Sequence, residues 1–126
     1  MIFTHKTSSN FTQIENRIEE DAKKIGLMLK KHYPFSINLP EMGFKVKENS
    51  SVFEFCNGKL AANLLNTYPE FNILMPCRIS IYEKSGECFV STPDLNVQLE
   101  MIGCKDELKE EILALYENMK TMIKGF

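Results

Sequence analysis

The sequence predicts an α+β domain, a two-layer sandwich in which two long helices and one short helix cover one face of a mainly antiparallel, curved sheet. Three observations carry that expectation. Apolar residues recur at helical spacing near both ends of the chain, they alternate at every second position in two stretches between, and a short helical run separates those stretches.

At the start, "IFTHKT" alternates like a short strand. Phe11, Ile14, Ile18, Ala22, Ile25 and Leu29 then fall on one face of a 3.6-residue period. Asn10 is placed to accept from the amides of the first turn while Gln13 reaches back, and Lys30, Lys31 and His32 suit the negative end of the helix dipole. The first long helix is therefore expected from Phe11 to His32. Pro34, Pro40 and Gly43 predict an irregular passage from Pro34 to Ser50, with a strand near Gly43 to Lys47.

Ser51 to Cys56 reads as a strand with Phe53 and Phe55 on one face and Val52, Glu54 and Cys56 on the other. Asn57 can cap a short helix whose buried side is Leu60, Ala61, Leu64 and Leu65, and "TYPEF" ends it. Alternation resumes from Ile73 to Tyr82, with Ile73, Met75, Cys77, Ile79 and Ile81 opposite Arg78, Ser80 and Tyr82. The turn "EKSGE" fits a three-residue loop that pairs Glu83 with Glu87 and Ile81 with Phe89. In that register Ile79, Ile81 and Phe89 face the core, and Tyr82, Cys88 and Val90 the reverse. Leu108, Ile112, Leu115, Met119, Met122 and Phe126 form the second long helix, its methionines acting as core filler.

At 126 residues, 44% hydrophobic and 25% charged, the chain suits one domain, 1–126. A net charge of −2 supplies no general attraction for phosphate backbones or anionic lipid, which argues against nucleic acid and membrane as partners. No apolar run approaches the ~18–20 residues of a membrane span, and "MIFTHKTSSN" lacks a signal-peptide layout, so a cytoplasmic protein is expected. The "KDEL" at Lys105 to Leu108 is internal and carries no address. The four cysteines, separated by 20, 10 and 15 residues, match no zinc or thioredoxin spacing, and neither a metal nor a cofactor is expected.

"NGKLAANLLNTYPEFNILMPCRISIYEKSGECFVSTPD" resembles the domain of unknown function 302 family. Its pattern is a small Asn-Pro turn, a helix with a small-residue start, a Leu-Pro-Cys-like entry into a strand and a glycine hairpin. Asn57, Ala61, Leu64, Met75, Pro76, Cys77 and Gly86 stand at those positions, whereas Gly58 replaces the usual proline. The resemblance implies a fold like that of the TATA-box-binding-protein group, a helix-covered curved sheet, often as a homodimer. It brings no settled activity, and a shared fold does not assign one.

Chemistry has few candidates. Cys56 precedes the Asn57 cap and lies near amides that favour a thiolate, whereas Cys77 has only Arg78 beside it; the ordinary role of both is that of a small hydrophobe. Alternation places Cys56 and Cys77 on opposite faces, unpaired, with Cys77 the more buried and Cys56 the first to react. A Cys-His dyad would need His5 or His32; His32 is expected at a helix end, and His5 reaches a thiol only if its strand neighbours theirs. Asn57, Gly58, Lys59 and Arg78 form a candidate site for a small anionic ligand, against the simpler reading of a capped helix. Carboxylate pairs such as Glu19 with Glu20 belong to solvated helix faces. Two function classes follow: a non-catalytic homodimeric domain that binds or senses a small ligand, and a thiol-dependent enzyme or redox protein using Cys56 or Cys77. The face bearing Arg78, Ser80, Tyr82, Cys88 and Val90 is the expected dimer surface.

Overall fold

The computed structural model describes residues 1–126. Five strands, β1 (Ile2–Lys6), β2 (Met28–Tyr33), β3 (Ser50–Cys56), β4 (Cys77–Lys84) and β5 (Glu87–Pro93), form one sheet in the order β1-β5-β4-β3-β2, every neighbouring pair antiparallel. Around it lie α1 (Phe11–Lys23), α2 (Phe35–Glu41), α3 (Gly58–Thr67), α4 (Leu95–Ile102), α5 (Asp106–Lys124) and a 3-10 helix at Pro69–Leu74. The expected pair of long helices with one short one is thus replaced by six helical segments, and the sheet is an open one that is not strongly curled.

The first helix is 13 residues long rather than 22 because the chain leaves it at Gly26. Leu27 N–H donates to the Ala22 carbonyl (2.9 Å) and Gly26 N–H to that of Lys23 (3.0 Å), a closing pattern that needs a left-handed residue, and Gly26 has φ +84°. Ile25 and Leu29 continue the 3.6-residue spacing by coincidence; Leu29 belongs to β2, an edge strand that pairs with β3 through Met28↔Cys56 and His32↔Phe53. His32 is therefore a strand residue, its ring stacked on Phe53 at 4.1 Å. Within the expected irregular passage the chain forms α2 over Phe35–Glu41, residues 42–49 are irregular as expected, and no strand lies at Gly43–Lys47. Pro40 sits in the last turn of α2, where it has no amide to donate back along the helix.

The hairpin register also differs. Lys84 pairs with Glu87, Tyr82 with Phe89 and Ile81 with Val90 around a two-residue turn. Ser85 (φ 54°) and Gly86 (φ 79°) both take the left-handed region, as a type I′ turn requires, and the Glu48 carboxylate accepts from both of their amides at 3.2 and 3.1 Å. One residue of register exchanges the faces. Cys88 and Val90 are buried in the core, while Tyr82 and Phe89 stack on each other on the opposite face at 5.4 Å. The expected dimer surface thereby loses two of its five residues to the interior.

A single core of 22 buried residues joins β3, β4 and β5 to α1, α3, α4, α5 and the 3-10 helix. Ile14, Ile18, Ile79, Ile81 and Val90 are wholly excluded from water, each stabilising the fold by roughly 1.5–3 kcal/mol of transfer free energy. Ile73, assigned by alternation to a strand face, is instead exposed on the 3-10 helix, and β4 begins only at Cys77. Helix α2 alone among the α-helices buries no residue.

Candidate functional site

Where β3 ends and β4 begins, the sheet's hydrogen bonding stops and α3, the 3-10 helix and α4 bridge the gap. Asn57 turns the chain out of β3: its Oδ1 accepts from Leu60 N–H at 3.1 Å and so caps α3. Asp94 does the same for α4, accepting from Asn96 N–H at 2.9 Å. Between these elements and α5 lies a partly open cavity of about 60 Å³. Of its 15 lining residues 12 are hydrophobic, among them Leu64, Phe71, Met75, Leu95 and Leu115; the other three are Asn57, Pro76 and Gln98. Two water molecules would fill about this volume, but each needs two to four polar partners, and Asn57 Oδ1 is already engaged. The lining suits an apolar group better.

Cys56 and Cys77 both contribute to the wall. Register places Cys77 opposite Phe55 on the core side, in phase with Ile79 and Ile81, and puts Cys56 in step with Glu54, as alternation predicts. They meet at one cavity nonetheless, because it lies at the end of the sheet where β3 turns into Asn57. Both are partly exposed free thiols. Burial pushes the Cys77 thiol up to about 11, and the nearby Cys56 adds to the rise, so Cys77 carries its proton at neutral pH.

The remaining candidates are dispersed. β1 is separated from β4 by β5, and the His5–Val90–Ile81 row lies four residues from Cys77, about 13 Å along the sheet and about 10 Å across it. His5 therefore forms no dyad with either thiol. His32 is committed elsewhere: its Nε2 lies 3.3 Å from Glu15 Oε2, which also accepts from Ser51 Oγ at 2.9 Å. Gly58 and Lys59 follow the cap but do not line the cavity. Arg78 projects on the far face of the sheet, where its Nε donates to Glu54 Oε2 at 3.0 Å. Tyr33 donates to the other oxygen, Oε1, at 2.8 Å, so Glu54, only 7% exposed, is satisfied on both sides. Thus Asn57 is the one proposed ligand residue at the cavity, and its oxygen serves the helix. No three His, Cys, Asp or Glu side chains gather in a way that could hold a metal.

Sequence reasoning missed the wall supplied by α4 and the 3-10 helix. A signal for α4 was present in Asp94 as a cap, Leu95, Leu99 and Ile102 at helical spacing, and Gly103 as the stop. Phe71 and Leu74 had no comparable marker, since a 3-10 helix has neither period.

The family described as "Domain of unknown function DUF302" matches residues 3–126, and the chain belongs to it. No curated protein matches the sequence. The solved structure described as an uncharacterized conserved protein DUF302 from Bacillus stearothermophilus superposes with a TM-score of 0.86 over 98% of this chain and 96% of that one, at 21% identity, a likeness of fold.

Proposed function

We propose that this member of the family is a non-catalytic domain that binds the apolar part of a small molecule in the cavity at the β3–β4 end of the sheet. The observation that carries the reading is the lining: 12 hydrophobic residues of 15, with no carboxylate, histidine or cationic side chain among them. Small-molecule sites are characteristically concave and mostly apolar, with a few polar groups fixing orientation. Gln98 and the Asn57 amide are the groups available for that here. General acid–base catalysis, which needs a titratable group within hydrogen-bond reach of the reacting atoms, has only the two thiols to use at this place, and burial holds the proton on Cys77.

The test uses xenon and short alkyl alcohols as probes small enough for the space. Methyl resonances of Leu64 and Leu115 are expected to shift in wild type, and Ala61→Leu, which adds volume to the wall, is expected to abolish the response. Methyl shifts absent in wild type, or equal in the variant, overturn the reading.

A second reading, a thiol-dependent enzyme or redox protein, is favoured by one observation, the two cysteines on one cavity wall. It requires Cys56 to alkylate well below the pH range of an ordinary thiol; an ordinary profile for Cys56 removes its support.

A further inference from the structure

Gln98 carries a carboxamide that the fold leaves unpaired. It stands one turn into α4, where its backbone amide donates to the Asp94 carbonyl at 3.3 Å, while its half-buried side chain makes no hydrogen bond within the chain. The other amide at the cavity is committed: Asn57 Oδ1 caps α3, and its Nδ2 lies against Gly26. Beside the cavity is a second cleft of about 60 Å³, formed where β4 begins and β5 ends. The two share five lining residues, Leu74, Pro76, Cys77, Leu95 and Gln98, so they are neighbours across one wall of side chains. Either alone is small for an organic molecule, whereas the pair approaches the ~150 Å³ of an apolar protein cavity that holds benzene. In the cleft, Thr92 Oγ1 donates to the Arg78 carbonyl at 2.8 Å, and the Arg78 guanidinium is held by Glu54 on the far face of the sheet.

We infer, resting on the cavity reading above, that cavity and cleft form one site for an uncharged small molecule whose apolar body lies against Leu74, Cys77 and Leu95 and whose hydroxyl or carboxamide pairs with Gln98. A glutamine side chain offers one acceptor oxygen and two N–H donors, so it can meet a group that donates, accepts or does both. Charge is disfavoured in the ligand. No carboxylate, histidine or cationic side chain lines the cavity, and an ion entering it would lose its hydration without a countercharge. A hydroxyl or amide loses only hydrogen bonds that Gln98 restores. A wholly apolar ligand fits less well too, since it would shield Gln98 from water and leave the carboxamide unpaired.

The test titrates 1-butanol, butanamide, butanoate and butylammonium into the protein, with xenon as the probe of the cavity alone, and follows the Leu64 and Leu115 methyl resonances and the Gln98 side-chain amide. Butanol and butanamide are expected to shift these resonances, and butanoate and butylammonium to bind weaker by about tenfold or more. In Gln98→Met, close to glutamine in shape but without its amide, butanol is expected to weaken about fivefold relative to xenon. Butanoate binding as tightly as butanol, a Gln98 side-chain amide unmoved by butanol in wild type, or an unchanged ratio of butanol to xenon affinity in Gln98→Met overturns the inference while the cavity reading stands. Silence of wild type toward xenon and butanol alike sinks both.

Discussion

Cys77 shows how position on a strand becomes a pH-dependent stability. Its thiol is raised from 9.0 to about 11 in the folded chain, chiefly because the thiolate would lose its hydration there. On unfolding the proton is released at lower pH, so between pH 9 and 11 the unfolded state binds fewer protons than the native one. Stability contributed by this group is complete below pH 9 and is lost as pH rises through 11; two units correspond to about 2–3 kcal/mol. Cys88 and Cys104 are raised by burial too and add to the same slope. Urea midpoints measured from pH 9 to 11 should fall in wild type, and Cys77→Ala should flatten much of that fall; an equal slope in the variant would assign it elsewhere. Residue-level placement on β3 and early β4 was legible because alternation is rigid along an uninterrupted strand: Phe53 and Phe55 are core, Glu54 and Arg78 share the opposite face. The same rule put Cys56 in step with Glu54 at the end of β3, but it does not reach past the strand, where the turn into Asn57 brings Cys56 to the cavity shared with Cys77.

At the scale of elements, the boundaries decided which expectations failed. Period alone carried the first helix past Lys23, yet a single glycine ended it, since only a left-handed residue lets Leu27 reach back to Ala22. Hairpin pairing failed by one residue for a similar reason: the sequence shows Ser85 beside Gly86 but not Glu48, whose carboxylate comes from a distant loop to satisfy a strained two-residue turn. Gly26 also couples two elements. A Cβ there would stand 3.2 Å from Asn57 Nδ2, the side chain that caps α3 and borders the cavity. Gly26→Ala is expected to cost about 1–2 kcal/mol from its backbone conformation, with a further cost from displacing Asn57. Asn57→Ala is expected to cost about 1 kcal/mol through loss of the cap. Since the contact vanishes once Asn57 is truncated, the double variant should lose less than the two single losses together. Urea denaturation of all four proteins measures the coupling, and strict additivity would show that the contact is relieved without disturbing the cap.

Across the whole molecule, helices and sheet enclose one core and leave the far sheet face uncovered by the core helices, the arrangement that in a nucleic-acid-binding sheet would carry unpaired cations. Here three cations on that face are already engaged, while Lys84, in phase with Tyr82, makes no ion pair. Lys6 pairs with Glu87 at 2.8 Å, Arg78 with the buried Glu54 at 3.0 Å, and Lys31 lies over the Tyr33 ring at 4.8 Å. The net charge of −2 opposes a polyanion further. Duplex binding gains most of its free energy by replacing condensed counterions with free lysine and arginine, and an arginine already held by a carboxylate contributes little to that exchange. The expected result is no duplex DNA shift at ~150 mM salt, in wild type or in Arg78→Ala. A shift at that ionic strength that weakens with added salt and is reduced by Arg78→Ala would show that the Glu54 pair opens to a phosphate and that this face is an interface for nucleic acid.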